Sequence, residues 1–306
     1  MKLSSASLIH GIVLLNKPRG ISSNGALGRA KYILRSKKAG HTGSLDPLAT
    51  GMLPLCFGEA TKFSRFLLAA DKTYRVTASL GIRTNTGDGE GLVLRESKVT
   101  GLSAQDIEIA LNGFMGLQQQ VPPMFSALKV QGQPLYKLAR QGIEIERASR
   151  EIEIFDIKIH DINLETPNPS VDFTVTCSKG TYIRTLVDDL GERLGCGAVV
   201  AQLHRESVAG FELFPMFTIE ELATLAEAER QGDAVLPIDA GLTTWPEIQI
   251  SASSSFYLRQ GQSVKVPHQA KDWVRIKTLE GEFIGMGEIL ENGYLTPRRL
   301  LQQAGL

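Results

Sequence analysis

The chain has little cysteine, and its cysteines are not spaced as a metal or redox site. Cys56, Cys177 and Cys196 are its three cysteines among 306 residues, and they form no CxxC pair. This pattern argues against a disulfide framework and a thiolate zinc site, and it suits a reducing compartment. The five histidines are scattered without HExxH spacing. We therefore expect no protein-built metal site.

Long hydrophobic runs and a net charge are also missing. The apolar stretch 11–15 is closed by Asn16-Lys17-Pro18 and is too short for a signal peptide or a membrane span. We expect a cytoplasmic protein that does not enter a membrane. Lys and Arg number 33, as do Asp and Glu, so the formal net charge is zero. A nucleic-acid function must therefore be argued from local charge.

The most informative absence is that of acidic residues before Asp46. An even distribution would place about five in the first 45 residues, and there are none. Asp46 lies in a loop with glycines at 40, 43 and 51, where a ligand can approach the backbone closely. A carboxylate in this setting is typical of a reactive group in a field that attracts polyanions. The bases in the same span are Lys2, Lys17, Arg19, Arg29, Lys31, Arg35, Lys37 and Lys38.

Asp46 also has a simpler interpretation, because Asp followed by Pro commonly starts a turn. Other catalytic interpretations fit less well. The loop lacks the Lys-Ser/Thr ending of a Walker motif, there is no GxSxG elbow, and position 48 is Leu rather than a second aspartate. A lone aspartate without a metal, thiol or paired acid suits covalent catalysis by carboxylate attack. For that role it must be ionised, so we expect a cation beside it.

Hydrophobic periodicity predicts a mixed α+β fold. Helices and strands are interspersed without a regular βαβ period, which disfavours a doubly wound sheet. The predicted strands are 12–15, 73–80, 151–159 and 171–177, and the predicted helices are 22–35, one opening at Ser103, 134–140 and 181–194.

The predicted helix 22–35 has an apolar face and a basic face. Arg29, Lys31 and Arg35 fall mostly on the basic face, with Lys38 just beyond. A charged face is usually only solvated, but no acidic partner occurs at helical spacing here. We therefore expect this face to contact a polyanion.

The composition and strand pattern of the C-terminal part predict a second domain. Between residues 219 and 239 the composition is acidic, which predicts a helix and a linker away from any RNA surface. Short strands then follow at 264–266, 273–277 and 283–289 and predict a compact all-β module. We predict a first domain of residues 1–248 and a second of residues 249–306.

Several segments resemble one known family. The segment 40–51, Gly-His-Thr-Gly-Ser-Leu-Asp-Pro-Leu-Ala-Thr-Gly, is similar to the catalytic motif of the TruB family, the bacterial tRNA pseudouridine-55 synthases. Segment 14–23 resembles the family's opening motif, 72–76 its tyrosine motif and 177–186 its third catalytic motif. Segments 281–289 and 297–299 resemble a PUA RNA-binding module. The resemblance covers nearly the whole chain.

This resemblance implies a pseudouridine synthase fold with a mixed or antiparallel sheet, and a small PUA-like β-barrel at the C-terminus. It implies isomerisation of uridine 55 in the tRNA T loop, without a cofactor or a metal. The implied residue roles are Asp46 as the nucleophile, Arg184 as the cation beside it, Tyr74 and Tyr182 as contacts of the flipped base, Leu203 closing the pocket, His41 inserted into the T loop, and Lys17 supporting the loop.

Alternatives remain open at this point. The same fold could serve a noncatalytic RNA-binding or tRNA-folding protein, or a pseudouridine synthase for another RNA. Whether the nucleophile attacks the uracil ring or the ribose is also open. The expected partner is the T arm of tRNA, and we expect a monomer.

Overall fold

The computed structural model describes residues 9–165, 167–267 and 272–302. Lys2 and His268, which entered the counts above, lie outside these residues. So do the first eight residues of the first predicted domain and the last four residues of the second. The described chain has the predicted mixed α+β fold, built on one large sheet and one smaller C-terminal sheet.

The elements follow one another along the chain without a repeating unit. The strands are β1 (Gly11–Lys17), β2 (Ala39–His41), β3 (Thr50–Phe57), β4 (Lys72–Leu80), β5 (Ile82–Thr84), β6 (Val93–Glu96), β7 (Gly116–Gln120), β8 (Lys129–Val130), β9 (Gln133–Pro134), β10 (Arg150–Asn163), β11 (Ser170–Cys177), β12 (Ala198–Val208), β13 (Glu247–Ile250), β14 (Val264–Lys265), β15 (Trp273–Thr278), β16 (Phe283–Ile289) and β17 (Tyr294–Leu300). The α-helices are α1 (Ser23–Ile33), α2 (Ser64–Leu68), α3 (Ala104–Asn112), α4 (Leu135–Ala139), α5 (Ile183–Arg193), α6 (Ile219–Glu227) and α7 (Ala252–Arg259).

The large sheet has eight strands in the order β1-β3-β12-β4-β11-β10-β7, with β2 paired to β3. All pairs are antiparallel except β12 with β3. Antiparallel pairing explains why the sequence shows no βαβ period, because crossover helices are needed only between parallel neighbours. The prediction against a doubly wound sheet is therefore confirmed.

The strand predictions from alternation are confirmed. In β4 every second residue is buried, among them Tyr74 and Val76, and β11 alternates in the same way. The alternation arises because successive side chains of a strand point to opposite faces. In β1 both faces are covered: Val13 and Leu15 join one apolar cluster, while Ile12 and Leu14 join another on the opposite face.

The helix predictions hold with shifted ends. Ser22 caps α1 by accepting a hydrogen bond from the Gly25 N–H, but α1 ends at Ile33, two residues before the predicted end. Arg35 has a φ of 50°, which lies outside the helical region. The acidic segment forms α6, which packs against α1. The acidic helix therefore packs against the helix predicted to face RNA, and its position relative to an RNA surface stays a prediction.

The C-terminal sheet has five strands in the order β13-β15-β16-β17-β14. The all-β expectation for this region was wrong, because α7 forms there with Ser251 as its cap and Leu258 buried. The helix was missed because five consecutive serine and alanine residues, 251–255, precede its few large apolar positions. The predicted domain boundary between residues 248 and 249 falls inside β13, which already pairs with β15.

Among the described residues, no helix is long and apolar enough to cross a membrane.

Candidate active site

Asp46 lies in the loop of residues 42–49, which joins β2 to β3. Neighbouring elements hold this loop through its backbone. The hydroxyl of Ser23, in the first turn of α1, accepts from the Leu45 N–H at 2.7 Å and donates to the Leu45 carbonyl at 2.9 Å. The Gly20 N–H donates to the Pro47 carbonyl at 2.8 Å. The residues on both sides of Asp46 are therefore fixed, and its carboxylate is the part left to react.

Lys17, at the end of β1, lies beneath the same loop. Its ammonium donates to the carbonyls of Pro18 at 2.9 Å, Ile21 at 2.8 Å and Pro47 at 3.5 Å. Burial lowers the pKa of Lys17 to about 8, although the negative charge of Asp46 acts in the opposite direction. These bonds join the opening motif to the loop, and the supporting role of Lys17 stays a prediction.

Arg184, in the first turn of α5, is the cation that the sequence predicted beside Asp46. Its Nε donates to Asp46 Oδ2 at 2.8 Å. The Arg184 side chain is only 4% exposed, whereas 38% of the Asp46 side chain is exposed. The guanidinium also donates to the carbonyls of Thr86 and Phe125, each at 2.7 Å. Because Arg184 is fixed by three acceptors, the accessible oxygen atoms of Asp46 are held in one orientation.

Asp88 is a site residue that the sequence reasoning missed. Its Oδ2 lies 3.9 Å from Arg184 Nε, and its Oδ1 accepts from the Thr86 hydroxyl at 2.6 Å and the Glu90 N–H at 3.1 Å. Asp88 lies in segment 81–91, whose four glycines give it the composition of a turn. The available signal was Asp88 itself, a carboxylate between two glycines, of which Gly87 lets the backbone approach Arg184 closely.

A cavity of about 380 Å³ opens above Asp46. Five of the seven predicted site residues line it, although they come from four separate segments of the chain. These residues are Asp46, Tyr74, Tyr182, Arg184 and Leu203. Lys17 and His41 do not line the cavity: Lys17 lies under the loop, and His41 is the last residue of β2.

The two tyrosines are held rigidly at the cavity wall. Tyr74 is 8% exposed on β4, and burial raises the pKa of its hydroxyl. Tyr182 precedes α5, and its backbone exchanges two hydrogen bonds with the Gln120 side chain, at 2.7 and 3.1 Å. The Arg150 guanidinium lies 4.6 Å from the Tyr182 ring centroid. A preformed pair of aromatic side chains suits stacking of a planar base.

His41 is partly buried, and burial lowers its pKa, with the charge of Arg205 acting in the same direction. Its Nδ1 has no hydrogen-bond partner in the described part of the chain. That nitrogen is itself buried, and insertion of His41 into an RNA loop stays a prediction.

Besides Arg184 and Arg150, two further cations line the cavity and were also missed. Lys72 begins β4 and donates to the carbonyls of Leu68, at 3.0 Å, and Ala70. Burial, with a smaller effect of Arg205, lowers the pKa of Lys72 to about 8. Arg205 is 1% exposed on β12. Together with Arg184 they make the cavity wall electropositive, which suits a substrate with a phosphate backbone.

No group of three or more His, Cys, Asp and Glu side chains in the described ranges is arranged to hold a metal ion.

The basic face of α1 is exposed at Arg29, Lys31 and the following Arg35. None of the three makes an ion pair within 4.0 Å in the described part of the molecule. Since α1 also holds the Asp46 loop through Ser23, this face lies on the element that supports the site.

Comparison with known proteins gives three matches to family models that together cover most of the chain. Residues 31–183 match the model described as TruB family pseudouridylate synthase, N-terminal domain. Residues 184–243 match the tRNA pseudouridylate synthase B C-terminal domain, and residues 246–301 match Pseudouridine synthase II TruB, C-terminal.

Curated relatives match over nearly their whole length. The chain is 53% identical over 296 residues to tRNA pseudouridine synthase B of Nitrosococcus oceani, covering 96% of this chain and 95% of the relative. It is 51% identical over 298 residues to the protein of the same name from Ectopseudomonas mendocina, with the same coverage. Among solved structures, a chain of a Cbf5–Nop10–Gar1 complex matches with a TM-score of 0.72 and 26% identity, covering 92% of this chain and 78% of that one.

Proposed function

The chain belongs to the TruB family of pseudouridylate synthases, and we propose that it converts uridine 55 of the tRNA T loop to pseudouridine, with Asp46 as the covalent nucleophile. It is a tRNA pseudouridine synthase. The position in the tRNA and the roles of the site residues are our proposal.

The ion pair of Asp46 with the buried Arg184, at 2.8 Å on the floor of an aromatic-walled cavity, carries the proposal. The pair holds the carboxylate in one orientation at the cavity, where it can act as a nucleophile. Because a uridine stacked inside an RNA loop cannot reach Asp46, the nucleotide must be extruded, at a cost of about a few kcal/mol. Stacking against Tyr74 and Tyr182 offsets that cost.

The reaction is an isomerisation that needs no added atoms. The bond between uracil N1 and ribose C1′ breaks, the uracil turns in the cavity, and its C5 bonds to C1′. The C5 proton leaves to solvent, and N1 gains a proton. Asp46 holds the separated halves by a covalent bond, which is compatible with attack on either the ring or the ribose. Leu203 and the tyrosines enclose the base during its rotation.

Release of tritium tests this function, because the C5 hydrogen is lost only when the new bond forms. We expect wild-type protein to release tritium from a tRNA transcript labelled at C5 of uridine, and not from a transcript in which uridine 55 is replaced by cytidine. Binding without release would favour the noncatalytic RNA-binding alternative. Equal release from both transcripts would show that another uridine is modified.

Charge reversal on α1 tests the predicted RNA contact. For Lys31→Glu with Arg35→Glu, we expect weaker tRNA binding and a salt slope reduced by about 1–2, because each lost phosphate contact lowers the slope by about 0.7–0.9. The measurement is the dissociation constant between 50 and 200 mM salt, the range over which phosphate contacts have their largest effect.

The matched control reverses two exposed lysines elsewhere, Lys98 and Lys158, and changes the net charge by the same amount. It should leave the slope near the wild-type value. An unchanged slope in the α1 variant would exclude this helix from the interface.

The two-domain division and a monomeric state remain part of the proposal. The break between matched family models at residues 243 and 246 supports a boundary near the start of β13.

A further inference from the structure

Arg205 is the largest buried side chain that the reaction described above leaves without a role. It lies on β12, two residues after Leu203, and it lines the same cavity as Asp46. Only 1% of the residue is exposed. A guanidinium is costly to bury, so its presence where an apolar side chain would pack points to a requirement for its hydrogen bonds or its charge.

The Arg205 side chain connects the two ends of the Asp46 loop. Its Nε donates to the Met52 carbonyl in β3 at 2.6 Å, and its Nη2 donates to the Gly43 carbonyl at 3.2 Å. Gly43 precedes Asp46 by three residues, and Met52 follows it by six. The planar guanidinium therefore fixes the first residues of the loop relative to β3, the strand that follows the loop.

The Arg205 backbone lies between the strands that carry the two halves of the site. It is opposite Gly51 of β3 in a parallel pair and opposite Tyr74 of β4 in an antiparallel pair. Gly51 has a φ of 97°, and a side chain there would collide with the Arg205 backbone. The positive charge of Arg205 acts to lower the pKa of Tyr74 against the larger effect of burial, so the guanidinium is also close to the phenol.

Arg205 differs from Arg184 in its partners. Arg184 faces Asp46 and Asp88, whereas Arg205 has no carboxylate within 4.0 Å among the residues that the structure describes. Its identified acceptors are backbone carbonyls, which have fixed positions. A side chain bonded in this way positions the backbone, rather than neutralising a charge.

We propose that Arg205 is a positioning residue for pseudouridine formation, one that sets the gap between the Asp46 loop and the Tyr74 ring. This inference rests on the proposed function. The nucleophile must approach the base that is stacked on Tyr74, and a misplacement of about 1 Å can reduce a rate by about 10²-fold. The Arg205 side chain contacts the Asp46 loop at Gly43, and the Arg205 backbone is paired with Tyr74 in the sheet.

The test compares Arg205→Met, Arg205→Lys and the control Val208→Ala. Met keeps the length of the side chain without donors, and Lys keeps the charge without the planar fork. Val208 is fully buried on the same strand but packs in the cluster on the other face, with Ile12 and Phe211. Its truncation loosens β12 without touching the loop.

We expect single-turnover tritium release at saturating tRNA to fall by about 10- to 100-fold in both Arg205 variants. The dissociation constant for tRNA should stay within about twofold of wild type, because tRNA binding uses the outer surface. In tRNA-free protein, hydrogen exchange of amides 42–49 should accelerate in both variants. Val208→Ala should lower the melting temperature and leave the rate and the exchange of this loop unchanged.

Each opposite result overturns the inference. A wild-type rate in Arg205→Lys would show that charge alone suffices, and equal losses of rate and tRNA affinity would show a binding role. Unchanged exchange in the loop, with activity lost, would separate Arg205 from loop positioning. If wild-type protein releases no tritium, the proposed function itself fails, whereas the exchange result still reports on Arg205 and the loop.

Discussion

Replacement of Asp46 by Asn should abolish tritium release from C5-labelled tRNA, lowering the rate by about 10⁴-fold or more, as removal of a nucleophile does elsewhere. The amide keeps the size of the side chain but lacks the negative charge and the nucleophilic oxygen. It also leaves Arg184 with one neutral acceptor in place of a carboxylate. The measurement is single-turnover release at saturating tRNA.

The position of Asp46 means that the lost rate should reflect the chemical step, and not folding or tRNA binding. Its carboxylate is partly exposed and its loop is held by Ser23 and Lys17 through backbone atoms, so Asp46→Asn should fold and bind tRNA as wild type does. The matched control is Asp156→Asn, an exposed aspartate of β10 outside the cavity lining, which should keep the wild-type rate. Substantial release by Asp46→Asn would show that another group is the nucleophile.

Replacement of Arg184 by Lys should have the second largest effect, a loss of about 10²-fold in the single-turnover rate. Arg184 donates hydrogen bonds to Asp46, Thr86 and Phe125 from three separate nitrogen atoms. Lys has a single nitrogen and cannot reproduce the fork. Breaking a buried pair costs about 3–5 kcal/mol, and about 1.4 kcal/mol corresponds to tenfold in rate. The partial exposure of Asp46 reduces this cost, so we expect the lower end.

Arg193→Lys is the control for that experiment, since Arg193 lies on the same helix with its guanidinium 3.7 Å from the Phe114 ring. Arg193 is exposed and does not line the cavity, so its replacement should change the rate by less than about twofold. Loss of an exposed charge also has little effect on stability. Circular dichroism at the assay temperature should show both variants folded. A wild-type rate in Arg184→Lys would mean that a simple positive charge beside Asp46 is sufficient.

The residues carrying the strongest sequence motifs were predicted correctly as neighbours. Asp46, Tyr74 and Arg184 are distant in sequence, and the structure brings them to one cavity. Periodicity alone could not do this, because it defines which face of an element is buried but not which elements pair. The motif resemblance supplied the missing long-range information.

The residues that were missed lie where local patterns fail. Arg205 lies in β12, a strand that the sequence did not predict, because its register shifts between Val200 and Gln202 and again between Arg205 and Ser207. Such bulges interrupt the alternation by which strands are recognised. Asp88 was missed for a different reason. A carboxylate among glycines is the ordinary composition of a turn, so nothing in the local sequence marked it as a site residue.

The place of β12 in the large sheet has a consequence for how the protein folds. This strand lies between β3 and β4, which precede it by more than a hundred residues. During synthesis the first 183 residues emerge with Asp46 and Tyr74 but without Arg184. The central gap of the sheet can close only after residue 208 has left the ribosome. Such non-local pairing is slow, so the nascent chain exposes two unpaired strand edges while it waits, and we expect this interval to be the stage most prone to misassembly.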